Sequence, residues 1–168
     1  MIKKLSIRTK YDFRLPHTQN YKKSNLPIKD EWFKLIGYLL AEGWLKDNHR
    51  SLEIALGQSK KVNKDVYDDI KYCIKKLNLK FREDERNNGN TIFAFDARSS
   101  KEIISFFDGF DVHSFPKWIF SAGDKQIKLI IDAMMDGDGS WGVMTYVSKR
   151  RDLIHCFQTL ATISGYRT

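Results

Sequence analysis

The apolar positions of this 168-residue chain follow two rhythms, one of helical period and one alternating, and their order predicts the architecture. Trp32, Leu35, Ile36, Leu39 and Leu40 line one face of a helix, which Pro27-Ile-Lys-Asp30 opens with Asp30 as N-cap and Glu31 in the first turn. Two short strands follow around a turn at Asp47-Asn-His-Arg50. Leu52, Ile54 and Leu56 point to the core, and Ser51, Glu53 and Ala55 lie on a face free to meet a ligand. Val62, Val66, Ile70, Cys73, Ile74 and Leu77 recur at helical spacing and predict an amphipathic helix over 61–77. Strands over about 79–86 and 90–96 join through Asn87-Asn-Gly-Asn90, whose Asn-Gly pair signals a hairpin. Ser99 and Glu102 form a capping box for a helix carrying Ile103, Ile104, Phe106 and Phe107. A second unit begins after His113-Ser-Phe-Pro-Lys-Trp-Ile119, with a helix over about 125–138 and a shorter hairpin over 140–147. Its last helix, over 149–165, carries Leu153, Ile154, Phe157, Leu160 and Ala161.

The two units share more than element order. Leu35-Ile-Gly-Tyr-Leu-Leu-Ala-Glu-Gly43 and Ile131-Asp-Ala-Met-Met-Asp-Gly-Asp-Gly139 have one plan: small residues at the third and seventh positions, an acid at the eighth and glycine at the ninth, with Glu42 and Asp138 96 residues apart. Residues four apart share a helix face, so Gly37 with Ala41, and Ala133 with Gly137, leave each helix a nearly bare side on which the two can pack. The ninth-position glycine is expected in the left-handed conformation that ends many helices. Each last turn then holds a carboxylate at the negative end of the helix dipole, unfavourable by about 0.3–1 kcal/mol. Two such carboxylates brought together would make a divalent-cation site; the plainer alternative is a pair of helix C-caps in a two-helix core. Ser59-Lys60 and Ser148-Lys149 stand at equivalent points, a further echo of duplication. Only 29 residues follow Gly139, so the second unit is expected to be incomplete.

These residues resemble the LAGLIDADG homing endonucleases, in particular the two-motif members found within inteins and introns. The resemblance implies an α+β fold: tandem αββαββα half-units, here 30–118 and 119–168, forming a pseudo-dimer with a saddle-shaped antiparallel sheet over the DNA major groove. It further implies that Glu42 and Asp138 bind Mg²⁺ or Mn²⁺ so that water attacks a phosphate on each strand of a long, specific duplex target. Gln58 follows the second strand where relatives place a polar residue near the metal-bound water; its counterpart is expected at Val147, which departs from that pattern. Lys117 is a further candidate, for a basic residue beside the scissile phosphate. On the same reading Lys46, Arg50, Ser51, Glu53, Lys60 and Lys61 contact DNA. The chain would act as a monomer, with dimerisation open if the second half is incomplete.

Charge adds to this picture. The net charge is +8, and residues 1–29 supply eight basic residues (Lys3, Lys4, Arg8, Lys10, Arg14, Lys22, Lys23, Lys29) against Asp12 alone. An arm of that kind, dotted with Tyr11, Phe13 and Tyr21, suits a phosphate backbone or a solvated terminus. Cys73 and Cys156 have no pairing pattern and read as reduced residues of a soluble intracellular protein. No Cys/His cluster has zinc spacing, and no apolar run has membrane length. Asp136-Gly-Asp-Gly does not continue as an EF-hand, having Trp141 at the sixth position and Val147 at the twelfth. No nucleophile elbow supports a serine or cysteine hydrolase. The chain lacks intein splicing residues, beginning with Met1 and ending at Thr168 without His-Asn. The non-enzymatic alternative is a nucleic-acid-binding relative, either an intron-RNA maturase or a decayed endonuclease.

Overall fold

The computed structural model describes residues 25–47, 52–87, 89–109 and 111–166. The chain enters through Leu26–Ile28, which the buried Gln126 side chain clamps. Its Oε1 accepts from Leu26 N–H at 2.8 Å and its Nε2 donates to the Leu26 carbonyl at 2.9 Å. Helix α1, Asp30–Glu42, then buries Trp32, Phe33, Leu35, Ile36, Leu39 and Leu40. Asp30 is its first helical residue rather than its N-cap, which is Lys29; the Asp30 carboxylate instead takes Lys125 Nζ at 2.6 Å.

Strands β1 (Gly43–Asp47) and β2 (Leu52–Ser59), helix α2 (Lys64–Lys76), strands β3 (Phe81–Glu85) and β4 (Asn90–Phe95) and helix α3 (Ala97–Ile104) complete the first unit. The four strands form one antiparallel sheet in the order β1-β2-β4-β3. Register divides its faces. Leu45, Ile54, Leu56, Phe93 and Phe95 share one face, which the helices cover, while Trp44, Lys46, Glu53, Arg82 and Asp84 share the other. Alternation predicts this split correctly, with one correction: Ala55, placed on the open face, is fully buried, because Trp44 and Ala94 flank it there. Val62 is also misassigned. It is 77% exposed, because α2 begins at Lys64 and leaves Val62 in the preceding turn. Helix α3 is capped by Asp96, which accepts Ser99 N–H at 2.7 Å, and not by Ser99. The Ser99 hydroxyl is occupied elsewhere, taking Lys80 N–H at 2.8 Å.

A 3-10 turn, Lys117–Ser121, leads into the second unit: α4 (Asp124–Asp138), β5 (Gly139–Ser140), β6 (Thr145–Tyr146) and α5 (Arg151–Ile163). The two units share one hydrophobic cluster, to which α1, α2, the sheet, α4 and α5 all contribute. Cys73 lies buried within it and Cys156 is half-buried; both are free thiols. Among the described residues no helix is long and apolar enough to cross a membrane.

Helices α1 and α4 run parallel, joined at their starts by Asp30 and Lys125 and crossing on their small residues. A methyl group on Gly37 would lie 2.7 Å from Ala133 Cβ and 2.8 Å from the Ile130 carbonyl oxygen; one on Gly137 would lie 2.7 Å from Ala41 Cβ. Only hydrogen atoms fit between the backbones there. The glycines that end these helices are not left-handed. Gly43 has φ −85° and ψ 158° and Gly139 has φ −99° and ψ 174°, so each helix passes straight into a strand without a loop. Glycine is needed for space: a Cβ would lie 2.4 Å from the Leu39 carbonyl oxygen in the first case and 2.6 Å from that of Met135 in the second.

Candidate active site

Because each motif helix ends one residue before its strand, Glu42 and Asp138 are the last helical residues of two parallel helices in backbone contact. The repeat thereby delivers two carboxylates to one end of the molecule, each at the electronegative end of its helix. Neither last turn holds a basic residue, and among the described residues neither carboxylate has an ion pair or hydrogen bond. The anions are poorly supported. Burial, and then the charge of Asp138, push the Glu42 carboxyl up to about 7. Burial also raises the Asp138 carboxyl, with His113 acting against the shift.

His113 comes from the linker between units. Its Nδ1 lies 3.3 Å from the Leu40 carbonyl oxygen, an acceptor only, so Nδ1 carries the proton and the ring is fixed between the end of α1 and Asp138. Tyr146 closes the second side. It pairs with Gly139 across the β5–β6 hairpin and stacks on Phe157 at 4.3 Å. Its hydroxyl is buried, without a hydrogen-bond partner among the described residues, and held protonated, first by burial and then by the charges of Asp138 and Glu42.

Gln58 is next to last in β2, and it lines with Glu42 an open cleft of about 330 Å³ whose other walls are Trp44, Gly57, Ser59, Arg86, Asn90 and Ile92. The Gln58 Oε1 accepts Ser59 N–H at 2.7 Å. Its Nε2, on a residue only 6% exposed, has no partner among the described residues. A buried amide N–H left open beside an unsupported carboxylate is the mark of a site built for a further ligand.

Other candidates fall elsewhere. Lys117 is exposed and opens the 3-10 turn, where its backbone N–H binds Asp108 at 3.1 Å. The next residue, Trp118, packs on Phe33 near the start of α1, at the other end of that helix from Glu42. Lys117 is therefore not brought to the pair. Lys46 and Glu53 face each other on the open side of the sheet at 3.4 Å, with Arg82 on Glu53 at 3.3 Å. Lys60 and Lys61 are exposed at the turn after β2. Lys3, Lys4, Arg8, Lys10, Arg14, Lys22, Lys23, Arg50 and Ser51 lie outside the described residues. Counted from the glycine pairings, Ser148 rather than Val147 holds the place of Gln58 in the second unit; Val147 is solvent-facing.

Two carboxylates without partners among the described residues fit a hard divalent cation, while the Gln58 amide N–H and the Tyr146 hydroxyl beside them are hydrogen-bond donors suited to a water or anionic oxygen on it. Among the described residues no cluster of three metal-ligating side chains exists, so water and a bound anionic oxygen would have to complete any coordination shell. Sequence reasoning missed His113 and Tyr146. The signal for the second was available in the repeat, where a tyrosine stands opposite Gly139 as Leu56 stands opposite Gly43.

No protein-family model matches the sequence, and no curated protein does. Similar folds are found among solved structures. The homing endonuclease I-DmoI in complex with DNA and Mn superposes with a TM-score of 0.58 at 12% identity, covering 82% of this chain and 79% of that one. Mesophilic variants of I-DmoI give a TM-score of 0.57 at 12% identity over 79% and 75% of the two chains. The chain thus has the fold of these structures: an α+β pseudo-dimer built on two adjoining motif helices, its second unit carrying a much smaller sheet than its first.

Proposed function

We propose that this protein is a site-specific DNA endonuclease of the LAGLIDADG type, hydrolysing both strands of a duplex with a divalent cation, Mg²⁺ or Mn²⁺, held by Glu42 and Asp138. The observation that supports it best is the pair of unsupported, half-buried carboxylates at the joined ends of two parallel helices. Such a cation, when bound, lowers the pKa of its water and offsets charge on the attacking and leaving oxygens. Glu42 and Asp138 would hold it, and protons would compete with it for them, since both carboxyls titrate above their usual range. Gln58 would turn its free Nε2–H toward the attacking water or a phosphate oxygen. Lys46, Glu53 and Arg82 would meet base edges in the major groove, whose donor and acceptor pattern distinguishes all four pairs. The basic arm would add affinity without sequence selectivity.

A plasmid library incubated with the protein and Mg²⁺ or Mn²⁺ tests the reading. The expected result is linearised plasmid with the parent chain. Glu42→Gln or Asp138→Asn should lower cleavage by about 10³-fold or more while duplex binding persists. The second reading, a non-cleaving nucleic-acid binder, is favoured by the two-residue strands of the β5–β6 hairpin. It takes over if the parent binds a duplex and never nicks it in either metal.

A further inference from the structure

Beside the carboxylate cleft lies a second, of about 240 Å³, lined by Lys60, Lys61, Glu85, Arg86, Gly89 and Thr91. Three cations line it with one acid; among the described residues none of the three has an ion-pair partner, although the Lys60 ammonium lies over the Tyr67 ring, 5.4 Å from its centroid, within electrostatic reach of Glu83. Elsewhere on the first unit Arg82 pairs with Glu53 and Asp84, Lys71 with Glu83 and Lys46 with Glu53, and the exposed Lys75, Lys76 and Lys101 line neither cleft. Unmatched cations gathered in a concavity favour an anion. Arg86 is also the one residue that lines both clefts. Its backbone is fixed at the neck of the β3–β4 hairpin, where its N–H donates to the Asn90 carbonyl at 2.8 Å and its carbonyl accepts Gly89 N–H at 2.9 Å. A guanidinium on so fixed a stem presents a fork suited to two phosphate oxygens.

We propose that this cleft is a phosphate-binding site for the nucleic-acid strand whose neighbouring phosphate lies over Glu42, and that Arg86 is a positioning residue that sets the strand's register against the carboxylates. The inference rests on the endonuclease reading and adds to it a place on the strand path that is independent of base sequence. Lys60 and Lys61 hold the outer side of the phosphate, and Arg86 holds the side facing the cut.

Two measurements test it. In the first, random-sequence duplex is titrated across salt with the parent, Arg86→Gln and Lys76→Gln, the last removing an exposed cation of α2 far from both clefts. Arg86→Gln should flatten the slope by about one and Lys76→Gln should not, with melting temperatures unchanged. In the second, a duplex selected by the parent carries a single neutral methylphosphonate, walked along each strand. One position flanking the cut should weaken the parent by about tenfold and weaken Arg86→Gln no further, whereas elsewhere the losses add. Additive losses at every position, or an unchanged salt slope, overturn the inference while leaving the endonuclease reading standing. A parent that binds no duplex overturns both.

Discussion

The two units end their motif helices alike and spend the following residues differently. After Gly43 the chain builds strands of five and eight residues within a four-stranded sheet, whose open face is a network of Lys46, Glu53, Arg82 and Asp84. After Gly139 the strands have two residues each, and the turn between them shows Val143 and Met144 to solvent, with Val147 beyond. The carboxylate pair survives this asymmetry because its geometry comes from the α1–α4 crossing, where backbones touch, and not from the sheets. Helix endings teach the same lesson. Helix α2 stops at Asn78, with φ +56°, and α5 at Gly165, with φ +85°, each in the left-handed conformation and each closed by a returning N–H to the carbonyl five residues before it, Leu79 to Ile74 and Tyr166 to Ala161. The motif helices do not stop in this way; they continue into strands.

The strongest way to break the comparison is to alter the crossing from either side. Gly37→Ala forces a methyl onto the Ile130 carbonyl oxygen as well as onto Ala133, so the helices must part; it should lower stability by about 3 kcal/mol. Gly137→Ala meets no backbone atom but the Ala41 Cβ at 2.7 Å, which moves only with its helix, and Glu42 Cγ at 3.3 Å, and should lower it by about 2 kcal/mol. It should still depress cleavage sharply, since the groups it pushes aside are Ala41 and its neighbour Glu42. Denaturant melts beside a cleavage assay check both; equal losses from the two glycines would contradict the reading of the crossing.

Next in size is pH. Because the folded Glu42 carboxyl titrates near 7 rather than at its ordinary 4.5, the native state holds its proton more tightly than the unfolded chain. Without divalent cation, stability from this group is present below pH 4.5 and is lost as pH rises toward about 7. Glu42→Gln should remove that decline and raise stability at pH 8 by about 1–2 kcal/mol, a figure discounted for the group's partial exposure. Asp138→Asn should do less, because His113 offsets part of the burial effect on Asp138. Thermal melts from pH 4 to 8 in EDTA would show it, and a parent that gains stability over the Glu42 window would count against it. The smallest effect lies in the second hairpin. Met144 sits at φ +52°, where a side chain is strained by about 1 kcal/mol, so Met144→Gly should raise the melting temperature by a few degrees, roughly 2–4 °C per kcal/mol for a chain of this size. An unchanged or lowered melting temperature would count against strain at that turn.

Much of this was legible in the sequence. The helical and alternating periods gave the element order, and the recurrence of small residues four apart gave the crossing, since few other pressures select that spacing. What failed were the local ends. Asp30 and Ser99 satisfy cap preferences, but the carboxylate of Asp30 is drawn to Lys125 and the Ser99 hydroxyl to Lys80, contacts that a linear reading does not contain. The motif glycines were assigned the conformation glycine favours at helix ends, whereas crowding against Leu39 and Met135 is what excludes a side chain. His113 and Arg86 were invisible for another reason. Each reaches its cleft through a turn whose path only the assembled sheet and helices define, and neither carries a spacing of its own.

The crossing has a consequence for the order in which the molecule forms. Its partners, Gly37 with Ala133 and Ala41 with Gly137, are 96 residues apart in the chain, so every contact between the motif helices closes a loop that contains the whole first sheet. The entropy of that closure rises slowly with length, but contacts so distant in sequence slow folding markedly. Helix α2 and the β3–β4 hairpin draw on near neighbours and can form early, during synthesis. The carboxylate pair cannot: until Asp138 has emerged and α4 has docked, Glu42 ends a helix with no second carboxylate beside it, and half the chain is folded before the two acids meet.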